Sequence, residues 1–492
     1  MITLERAPAL FIHGAWTAAG GGTEAVINPA TEQVIGHAAI AGPADVEAAV
    51  ASARHAFDKG PWPRMNAEER ASILSAMLEI FERRGDEIRA LITAEAGSVQ
   101  PMTRTMQFAT GIDHARYYIE LARRPAITPL PVELVDTPDG RRMLGAGVKV
   151  REPVGVCLAI TPFNVPFMLN VTKCFAALAT GNAVILKPSP LTPFEAFVVA
   201  EAAEEAGLPP GILNVVNGGI ETGEALTRDP RIDLVTFTGS DRVGAAIQAQ
   251  AAPTLKRCVL ELGGKSALIV RADGDLKAAA TSALASLTLH AGQACAAFTR
   301  LLVHESVRAE FVSMLTAMFR AVSIGDPADP KSRMGPLIRG AQRDRVESMV
   351  DRAVRDGVKL VTGGRRPTGL SRGFYYEPTL FDGVDNQSPI AREEIFGPVG
   401  VVIGFESDEQ AIDIANDSDF GLSGGIYSAD VGRAFEMALQ LRTGKVQLNG
   451  GSGKMSSHQP FGGIKRSGYG RELGEEGLQE FTYVKSIAFH GG

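Results

Sequence analysis

The chain has few cysteines, and their scarcity excludes two kinds of small-domain architecture. Only four occur among 492 residues, scattered at Cys157, Cys174, Cys258 and Cys295. No C-x-x-C pair typical of a zinc ribbon is present, and four distant cysteines do not make a disulfide framework. The eight histidines show no H-E-x-x-H or comparable spacing, so no metal site is predicted. These absences favour a reducing compartment, and we expect a cytoplasmic protein.

The chain also lacks the long apolar runs and basic blocks that membrane and nucleic-acid binding require. No stretch reaches the roughly 18 uninterrupted apolar residues of a membrane span. The first residues do not have the pattern of a signal peptide. The formal net charge is −7, and lysines and arginines form no block. We therefore expect neither a membrane nor a nucleic acid as partner, and small molecules instead.

Glycine is the residue present in excess, with 54 copies and no low-complexity run. This pattern indicates tight strand-to-helix turns rather than flexible linkers. From residue 154 onward, short apolar runs alternate with helical patterns, which is typical of a parallel sheet covered on both faces. The predicted strands cover 154–160, 183–187, 212–216, 234–237 and 257–260, and the helices cover 166–179, 193–206 and 243–251. A second α/β segment follows residue 263.

The rest of the chain is predicted to be mainly helical at the start and to form a hairpin before the sheet. The stretch Asn66-x-x-Glu69 is a helix-start signal. Two strand-like pieces, 131–136 and 142–151, surround a turn sequence, and the alternating stretch 481–489 is predicted to pair with them. A hairpin of this kind is an obvious subunit contact.

Cys295 stands among small residues between a helical run and the strand-like run 298–304. A thiolate is a strong nucleophile that can hold a carbonyl substrate covalently, and small neighbours leave room for that substrate. The alternative is a core cysteine, because free cysteine is among the most buried residue types.

Four further stretches each carry a chemical interpretation and a structural alternative. Glu261 ends an apolar strand before two glycines, so it is either a general base or a helper for the turn. The Asn164 amide either donates to an oxyanion or makes a turn. Lys187 either reaches a ribose or phosphate or lies on the surface. Gly239 and Gly244 either approach a phosphate or form a tight βα turn.

Taken together and in order, these stretches resemble the aldehyde dehydrogenase superfamily over nearly the whole chain. The matching stretches are Thr161-Pro-Phe-Asn164, Ile185-Leu-Lys-Pro-Ser189, Phe237-Thr-Gly-Ser240 with Gly244, Glu261-Leu-Gly-Gly-Lys265, Gly292-Gln-Ala-Cys295, Glu393-Glu-Ile-Phe-Gly-Pro398 and Pro460-Phe-Gly-Gly-Ile-Lys-Arg-Ser-Gly468. The resemblance implies an α/β fold: a doubly wound, Rossmann-like cofactor domain (1–130 and 152–262), an α/β catalytic domain (263–470) and a small β oligomerisation region (131–151 and 471–492). It also implies a homo-oligomer, either a dimer or a tetramer.

The resemblance also implies a role for each catalytic residue. Cys295 attacks an aldehyde to give a thiohemiacetal, whose oxyanion Asn164 stabilises. Hydride transfer to a nicotinamide leaves a thioester, and Glu261 activates the water that hydrolyses it. Lys173 matches a lysine near the active site, and Glu472 matches a glutamate implicated in proton transfer. Either of these two is alternatively a structural ion-pair partner.

The cofactor and substrate residues follow from the same resemblance. NAD is the implied cofactor, but NADP is not excluded, because Pro190 stands where NAD-selective members often carry a glutamate. The substrate is expected to be a medium-sized aliphatic or aromatic aldehyde. The predicted cofactor contacts are Thr161, Pro162, Phe163, Lys187, Ser189, Pro190, Gly239, Ser240, Gly244, Leu262, Glu394 and Phe396. The predicted substrate pocket is Val165, Leu169, Thr172, Met455 and Phe461.

Three other functions compete with this interpretation. A CoA-acylating aldehyde dehydrogenase passes the thioester to a thiol, but such relatives commonly lack the general-base glutamate. A cysteine hydrolase pairing Cys295 with His290 or His458 leaves the phosphate-loop stretch unexplained. A non-enzymatic protein with the same fold does not need Cys295, Glu261 and Asn164 together.

Overall fold

The computed structural model describes residues 8–136, 138–453 and 455–490. The first seven residues of the predicted cofactor domain and the last two of the predicted oligomerisation region lie outside these ranges. In the described ranges the strands are β1 (Leu10–Ile12), β2 (Ala15–Thr17), β3 (Thr23–Ile27), β4 (Val34–Ala39), β5 (Ile127–Pro129), β6 (Glu133–Asp136), β7 (Arg142–Pro153), β8 (Val156–Ile160), β9 (Ala183–Lys187), β10 (Leu213–Val215), β11 (Leu234–Thr238), β12 (Arg257–Glu261), β13 (Ser266–Val270), β14 (Phe298–His304), β15 (Lys359–Thr362), β16 (Thr379–Asp382), β17 (Val399–Phe405), β18 (Phe420–Gly421), β19 (Ser423–Tyr427), β20 (Lys445–Leu448), β21 (Ile464–Lys465), β22 (Gly468–Tyr469) and β23 (Thr482–His490).

The α-helices of the same ranges surround these strands. They are α1 (Pro43–Lys59), α2 (Ala67–Arg83), α3 (Gly85–Ala96), α4 (Gln100–Met102), α5 (Thr110–Ala122), α6 (Pro166–Ala179), α7 (Phe194–Glu205), α8 (Ile220–Arg228), α9 (Asp241–Ala251), α10 (Leu276–Thr288), α11 (Glu305–Arg320), α12 (Gly340–Arg355), α13 (Pro389–Arg392), α14 (Asp408–Asn416), α15 (Val431–Gln440) and α16 (Gly474–Gln479). A π-helical segment, Thr103–Ala109, joins α4 to α5.

Two large sheets form the body of the described chain. The first has the strand order β2-β1-β10-β9-β8-β11-β12-β22, and its five central strands run parallel. The second has the order β15-β16-β17-β14-β13-β19-β20, and it is parallel except at β15. Parallel strands need helical crossovers, which cover both faces and bury the apolar runs. The predicted α/β class with a doubly wound sheet is therefore confirmed.

The sequence signals for local structure agree with the elements formed around the sheets. The helix over 166–179 and the strand over 183–187 have the predicted bounds. Asn66 caps α2 as its motif predicts: its Oδ1 accepts the Glu69 N–H at 3.0 Å, and the Asn66 N–H donates to the Glu69 carboxylate at 2.7 Å. These contacts satisfy backbone donors that have no partner within the helix.

The N-terminal segment differs from the prediction of a mainly helical start. It contributes four short strands before the first helix. β1 pairs antiparallel with β10 and β2 pairs with β1, which extends one edge of the first sheet, while β3 and β4 pair with each other. β1 and β2 have only three residues each, too few to show an alternating pattern, so periodicity does not detect them.

The predicted pairing between the hairpin and the C-terminal strand is present. β23 runs antiparallel to β7 over its whole length, from Thr482 opposite Pro153 to His490 opposite Gly145. β5 and β6 pair with β7 as well, giving a small sheet outside the two large ones. Among the described residues, no helix combines the length and the apolar composition that crossing a bilayer requires.

Candidate active site

The predicted functional loops meet at the carboxyl edge of the first sheet. Strand register places Ile160 beside Lys187 and Phe237, and Thr238 beside Glu261. Ligands of doubly wound sheets bind at this edge. A cavity of about 640 Å³ opens here. Residues of both sheets line it, including Pro162, Phe163, Asn164, Val165, Leu169, Gly239, Ser240, Leu262, Cys295, Glu394 and Phe396.

Cys295 is carried into the cavity wall by an unusual backbone. After α10 ends, His290, Ala291 and Gly292 adopt positive φ values of 49°, 51° and 71°. A Cβ on Gly292 would lie 2.2 Å from the carbonyl oxygen of Gly397, so only glycine fits there. Three left-handed residues in succession are costly, and strain of this kind is characteristic of functional loops.

The environment of Cys295 disfavours its thiolate. Burial, followed by the nearby Glu394 and Glu261 carboxylates, raises the pKa of the thiol to about 12. A thiol in this state needs a base to become a nucleophile. The three other cysteines are free and buried, and burial raises the pKa of each thiol, as expected for core residues.

Asn164 presents its side-chain amide beside the cysteine loop. Its Nδ2 donates to the main-chain oxygen of Gln293 at 2.8 Å. An amide nitrogen carries two hydrogens, and the described residues engage one of them. Asn164 therefore has a donor for an oxyanion that forms next to Cys295.

Glu261 is a buried carboxyl whose oxygens have no hydrogen-bond partner among the described residues. Burial and the nearby Glu472 carboxylate raise its pKa well above the usual range for glutamate, and the opposing field of Lys173 is smaller. Gly462 makes room for this carboxyl, since a Cβ there would lie 2.6 Å from Oε1. A buried carboxyl with a raised pKa is suited to accept a proton near neutral pH.

Lys173 and Glu472 form a buried ion pair behind Glu261. The Lys173 ammonium contacts the Glu472 carboxylate and also donates to Thr236 Oγ1 at 2.9 Å. Both side chains are almost fully buried, so each charge depends on the other. Both sequence interpretations of this pair remain compatible with the structure: an ion pair, and a charged connection next to the base.

Glu394 is held at the cavity wall by the glycine pair that follows the base. The Gly264 N–H donates to Glu394 Oε1 at 3.0 Å, and a Cβ on Gly263 would lie 2.4 Å from Oε2. Burial raises the pKa of Glu394 to about 7. Phe396 has φ of 55°, and its ring meets the Phe163 ring edge-on at 5.8 Å. A carboxylate beside two aromatic rings suits a ribose and a flat heterocycle.

The predicted phosphate loop begins the helix α9. Ser240 caps this helix, with its Oγ accepting the Val243 N–H at 3.4 Å, and the Gly244 N–H donates to the Ser240 carbonyl. A Cβ on Gly244 would lie 2.6 Å from the Leu262 side chain, so glycine lets the helix approach the strand. The exposed N-terminus of α9 and the cavity beside it fit a dinucleotide, whose phosphates favour such helix ends.

The remaining predicted cofactor residues lie at the same sheet edge outside the lining of that cavity. Thr161 is buried, and its Oγ1 donates to Asn170 Oδ1 at 2.6 Å. Lys187 ends β9, and burial lowers its pKa to about 8. Ser189 and Pro190 are half-buried in the turn that follows. These positions extend along the same sheet edge beyond the cavity.

The five predicted substrate residues separate into two groups. Val165 and Leu169 line the cavity. Thr172 is buried instead, donating to the Met168 carbonyl at 2.7 Å and contacting the His114 ring. Met455 and Phe461 are half-buried and pack at the edge of the hydrophobic core around the first sheet.

Sequence reasoning missed the residues that hold the Glu394–Phe396 loop. Gln342 Nε2 donates to the Phe396 carbonyl at 2.8 Å, and the Arg345 guanidinium donates to the Glu394 carbonyl at 2.7 Å. Both residues come from α12 and line the cavity. Their spacing of three residues on one helix face was the available signal. Within the described ranges, no group of three His, Cys, Asp or Glu side chains could hold a metal ion.

Comparison with known proteins decides the family. The model of the aldehyde dehydrogenase family matches residues 16–487. The chain belongs to the aldehyde dehydrogenase family. The resemblance and the enzyme class predicted for this aldehyde dehydrogenase are thereby confirmed.

This aldehyde dehydrogenase is similar in sequence to three known proteins, two of which have solved structures. The 3-succinoylsemialdehyde-pyridine dehydrogenase of Pseudomonas sp. is 40% identical over 98% of both chains. An aldehyde dehydrogenase of Mycobacterium tuberculosis, crystallised with NAD+, is 42% identical with a TM-score of 0.92, over 99% of this chain and 98% of that one. The betaine aldehyde dehydrogenase of Staphylococcus aureus, also crystallised with NAD+, is 34% identical with a TM-score of 0.93, over 98% and 95%.

Proposed function

We propose that this enzyme oxidises an aldehyde to a carboxylic acid by hydrolysis of a thioester on Cys295. The observation that supports hydrolysis is the state of Glu261. It is buried close to the thiol, its pKa is raised, and its oxygens have no partner among the described residues. A carboxyl in this state is available to take a proton first from the thiol and later from water.

The reaction then follows from the protein groups around the cavity. The Cys295 thiol transfers its proton to Glu261, and the sulfur attacks the aldehyde carbon. The resulting oxyanion accepts a hydrogen bond from Asn164 Nδ2 and from the Cys295 main-chain N–H. Loss of hydride converts the thiohemiacetal to a thioester. Lys173 and Glu472 relay this first proton away from Glu261, which then takes a proton from water. The hydroxide attacks the thioester, and the acid leaves as the proton held by Glu261 returns to the sulfur and restores the thiol.

The cofactor of this reaction is NAD, as in the crystallised relatives from M. tuberculosis and S. aureus. When bound, its nicotinamide ring supplies the hydride acceptor. Glu394 and Phe396 would contact the nicotinamide half, and the α9 N-terminus would contact the phosphates. Lys187 and the turn at Pro190 would contact the adenosine ribose. Pro190 brings no carboxylate to repel a 2′-phosphate, so we expect NADP to be accepted as a second cofactor with lower kcat/KM.

The substrate is a medium-sized aliphatic or aromatic aldehyde, because Val165 and Leu169 give the cavity an apolar wall. The chain has two tryptophans, and both lie elsewhere: Trp62 is buried in the core, and Trp16 bonds to Glu204. Tryptophan is the best aromatic partner for a quaternary ammonium group. We therefore expect betaine aldehyde to be a poorer substrate than an uncharged aldehyde of similar size.

NADH formation from hexanal, benzaldehyde and betaine aldehyde, with and without CoA, tests the proposal. Hydrolytic oxidation predicts turnover that does not depend on CoA, with the carboxylic acid as product. Turnover only with CoA, and an acyl-CoA product, would establish the acylating alternative. Repeating the measurement with NADP gives the cofactor ratio, and a strong NADP preference would overturn the cofactor assignment.

The enzyme is proposed to act as a homo-oligomer in a reducing, cytoplasmic compartment. The small sheet exposes Leu134 and Ile487, and α15 exposes Val431, Phe435 and Leu439 on one face, at spacings of four residues. Apolar surface of this extent is typical of an interface. Light scattering of Leu439→Lys, with the exposed Gln440→Lys as control, is expected to show dissociation only in the former. Monomeric wild-type protein would contradict the proposal.

A further inference from the structure

A buried chain of polar side chains lies directly behind the cysteine loop. Gln107 Nε2 donates to the Asn164 main-chain oxygen at 2.8 Å and to Ser98 Oγ at 3.1 Å. Ser98 Oγ in turn lies 3.1 Å from His290 Nδ1. All three side chains are at most 1% exposed. Buried polar groups are costly unless they are bonded, so a chain of them at this place needs a reason.

Chemistry determines the direction of the two hydrogen bonds that Gln107 makes. The Asn164 carbonyl can only accept, so the Gln107 nitrogen, and not its oxygen, faces it. The two hydrogens of that nitrogen are then used by Asn164 and Ser98. Because Ser98 oxygen accepts from Gln107, its own hydrogen is free to donate to His290 Nδ1. Burial lowers the pKa of the His290 imidazole to about 4, so the imidazole is neutral near neutral pH, and its Nδ1 can accept this hydrogen when the imidazole proton is on Nε2.

This chain of hydrogen-bonded side chains closes into a ring of hydrogen bonds through the cysteine loop. Asn164 Nδ2 donates to the Gln293 carbonyl at 2.8 Å. The Gln293 main-chain N–H and its Nε2 both donate to the His290 carbonyl at 3.1 Å. Bonds thus lead from Gln107 to Asn164, Gln293, His290, Ser98 and back to Gln107. Asn164 lies in the loop that follows β8 of the first sheet, and His290 lies between α10 and β14 of the second, so the ring spans both sides of the active site.

Gln107 reaches this ring because its helix is locally widened. Residues Thr103–Ala109 form a π-helical segment between two α-helical pieces. A π-bulge changes the direction of the side chains it carries and occurs frequently at functional sites. Thr103 Oγ1 also donates to the Ser98 carbonyl at 3.2 Å, which ties the segment to the loop before it.

We propose that Gln107, Ser98 and His290 are positioning residues that hold the Asn164 amide and the cysteine loop at one fixed separation. The proposal rests on the oxyanion role of Asn164 given above. One hydrogen of the Asn164 amide is donated to the Gln293 carbonyl, which fixes the orientation of the amide. The ring of hydrogen bonds therefore determines where the second hydrogen points. The same ring braces the strained backbone at His290, from which Cys295 follows five residues later. A displacement of about 1 Å in such a site can cost about 100-fold in rate.

Gln107→Met tests the proposal, because methionine has a similar length and no donor. We expect kcat with a good aldehyde to fall by about 10- to 100-fold, while the Kd for NAD, measured by fluorescence titration, stays unchanged. Gln100→Met is the matched control. Gln100 lies on the preceding helical turn and donates to the Ala328 carbonyl at 2.7 Å, away from the site. Equal kcat in the two variants would refute the positioning role. If Gln107→Met does not fold, Ser98→Ala removes one link of the ring with minimal change in volume.

A double-mutant cycle with Asn164→Ala separates positioning from a general loss of structure. If Gln107 acts through Asn164, Gln107→Met has no further effect on kcat in the Asn164→Ala background. If the effects of Gln107→Met and Asn164→Ala on kcat multiply in the double variant, the positioning role is refuted and the proposed reaction is unaffected. Full turnover of Asn164→Ala alone would instead refute the oxyanion assignment on which the inference depends.

Rescue at His290 provides a second, independent measurement. Asparagine tolerates a left-handed backbone, and its side-chain oxygen can accept from Ser98. We expect His290→Asn to keep most of kcat and His290→Ala to lose about tenfold, within the range for a displaced group. The reverse order, or equal activity of both variants, would contradict the proposal.

Discussion

Replacing His290 changes how stability depends on pH, and the structure supplies the magnitude. The His290 imidazole is fully buried, and burial lowers its pKa from 6.5 to about 4. The folded protein therefore binds fewer protons than the unfolded chain below pH 6.5. The contribution of the neutral His290 imidazole to stability is complete above pH 6.5 and is lost as pH falls towards 4. Linkage gives a loss of about 1 kcal/mol between pH 7.5 and 5.5, and about 3 kcal/mol near pH 4.

The asparagine variant removes this proton linkage without adding backbone strain. Urea unfolding of wild type and His290→Asn at pH 7.5 and 5.5 measures the difference, because every other titrating group is common to both. We expect wild type to lose about 1 kcal/mol more than the variant over this interval. The exposed His37 provides the control variant, His37→Asn, which is expected to behave as wild type. An equal decrease in the free energy of unfolding of wild type and His290→Asn between pH 7.5 and 5.5 would refute the reasoning.

Three further predictions concern the reacting groups. Cys295→Ala is expected to abolish NADH formation while NAD binding, measured by fluorescence titration, persists; steady turnover would disprove the nucleophile. Glu261→Gln is expected to give one slow burst of NADH, because the thiol loses its base, and then to stall as the thioester accumulates, detectable by mass spectrometry, since no base remains to activate water; unchanged turnover would remove its role. Lys173→Met leaves the Glu472 carboxylate buried without its partner and is expected to lower stability by about 3–5 kcal/mol in urea unfolding, which Lys173→Met with Glu472→Gln largely restores. No recovery in the double variant would show that the ion pair is not the cause.

The elements of the first sheet were predictable because their sequence signals are local. Continuous apolar runs such as Ala183–Lys187 and helical stripes such as Pro166–Ala179 depend only on neighbouring residues. The strands at the start of the chain were not predictable, because β1 and β2 are three residues long, and β1 is held by pairing with the distant β10 and β2 by pairing with β1. Tertiary pairing determines such strands, and no local pattern records it.

The reacting groups were indicated by sequence, whereas their environment was not. Cys295, Glu261 and Asn164 lie in short motifs that resemble those of one family, and the order of these motifs along the chain is visible in the sequence itself. Gln107 has no motif: its helix pattern does not reveal the π-helical segment that turns it towards Asn164.

The sequence by itself determined the family, the α/β class and the identity of the groups proposed to react, since these depend on residue type and order. Only the tertiary structure decided that Lys173 pairs with Glu472, 299 residues away. It also decided that Thr172 turns to His114, and that a closed ring of hydrogen bonds lies behind Cys295. The physical reason is that desolvation and hydrogen bonding depend on which atoms share a buried space, and folding brings those atoms together from separate parts of the chain.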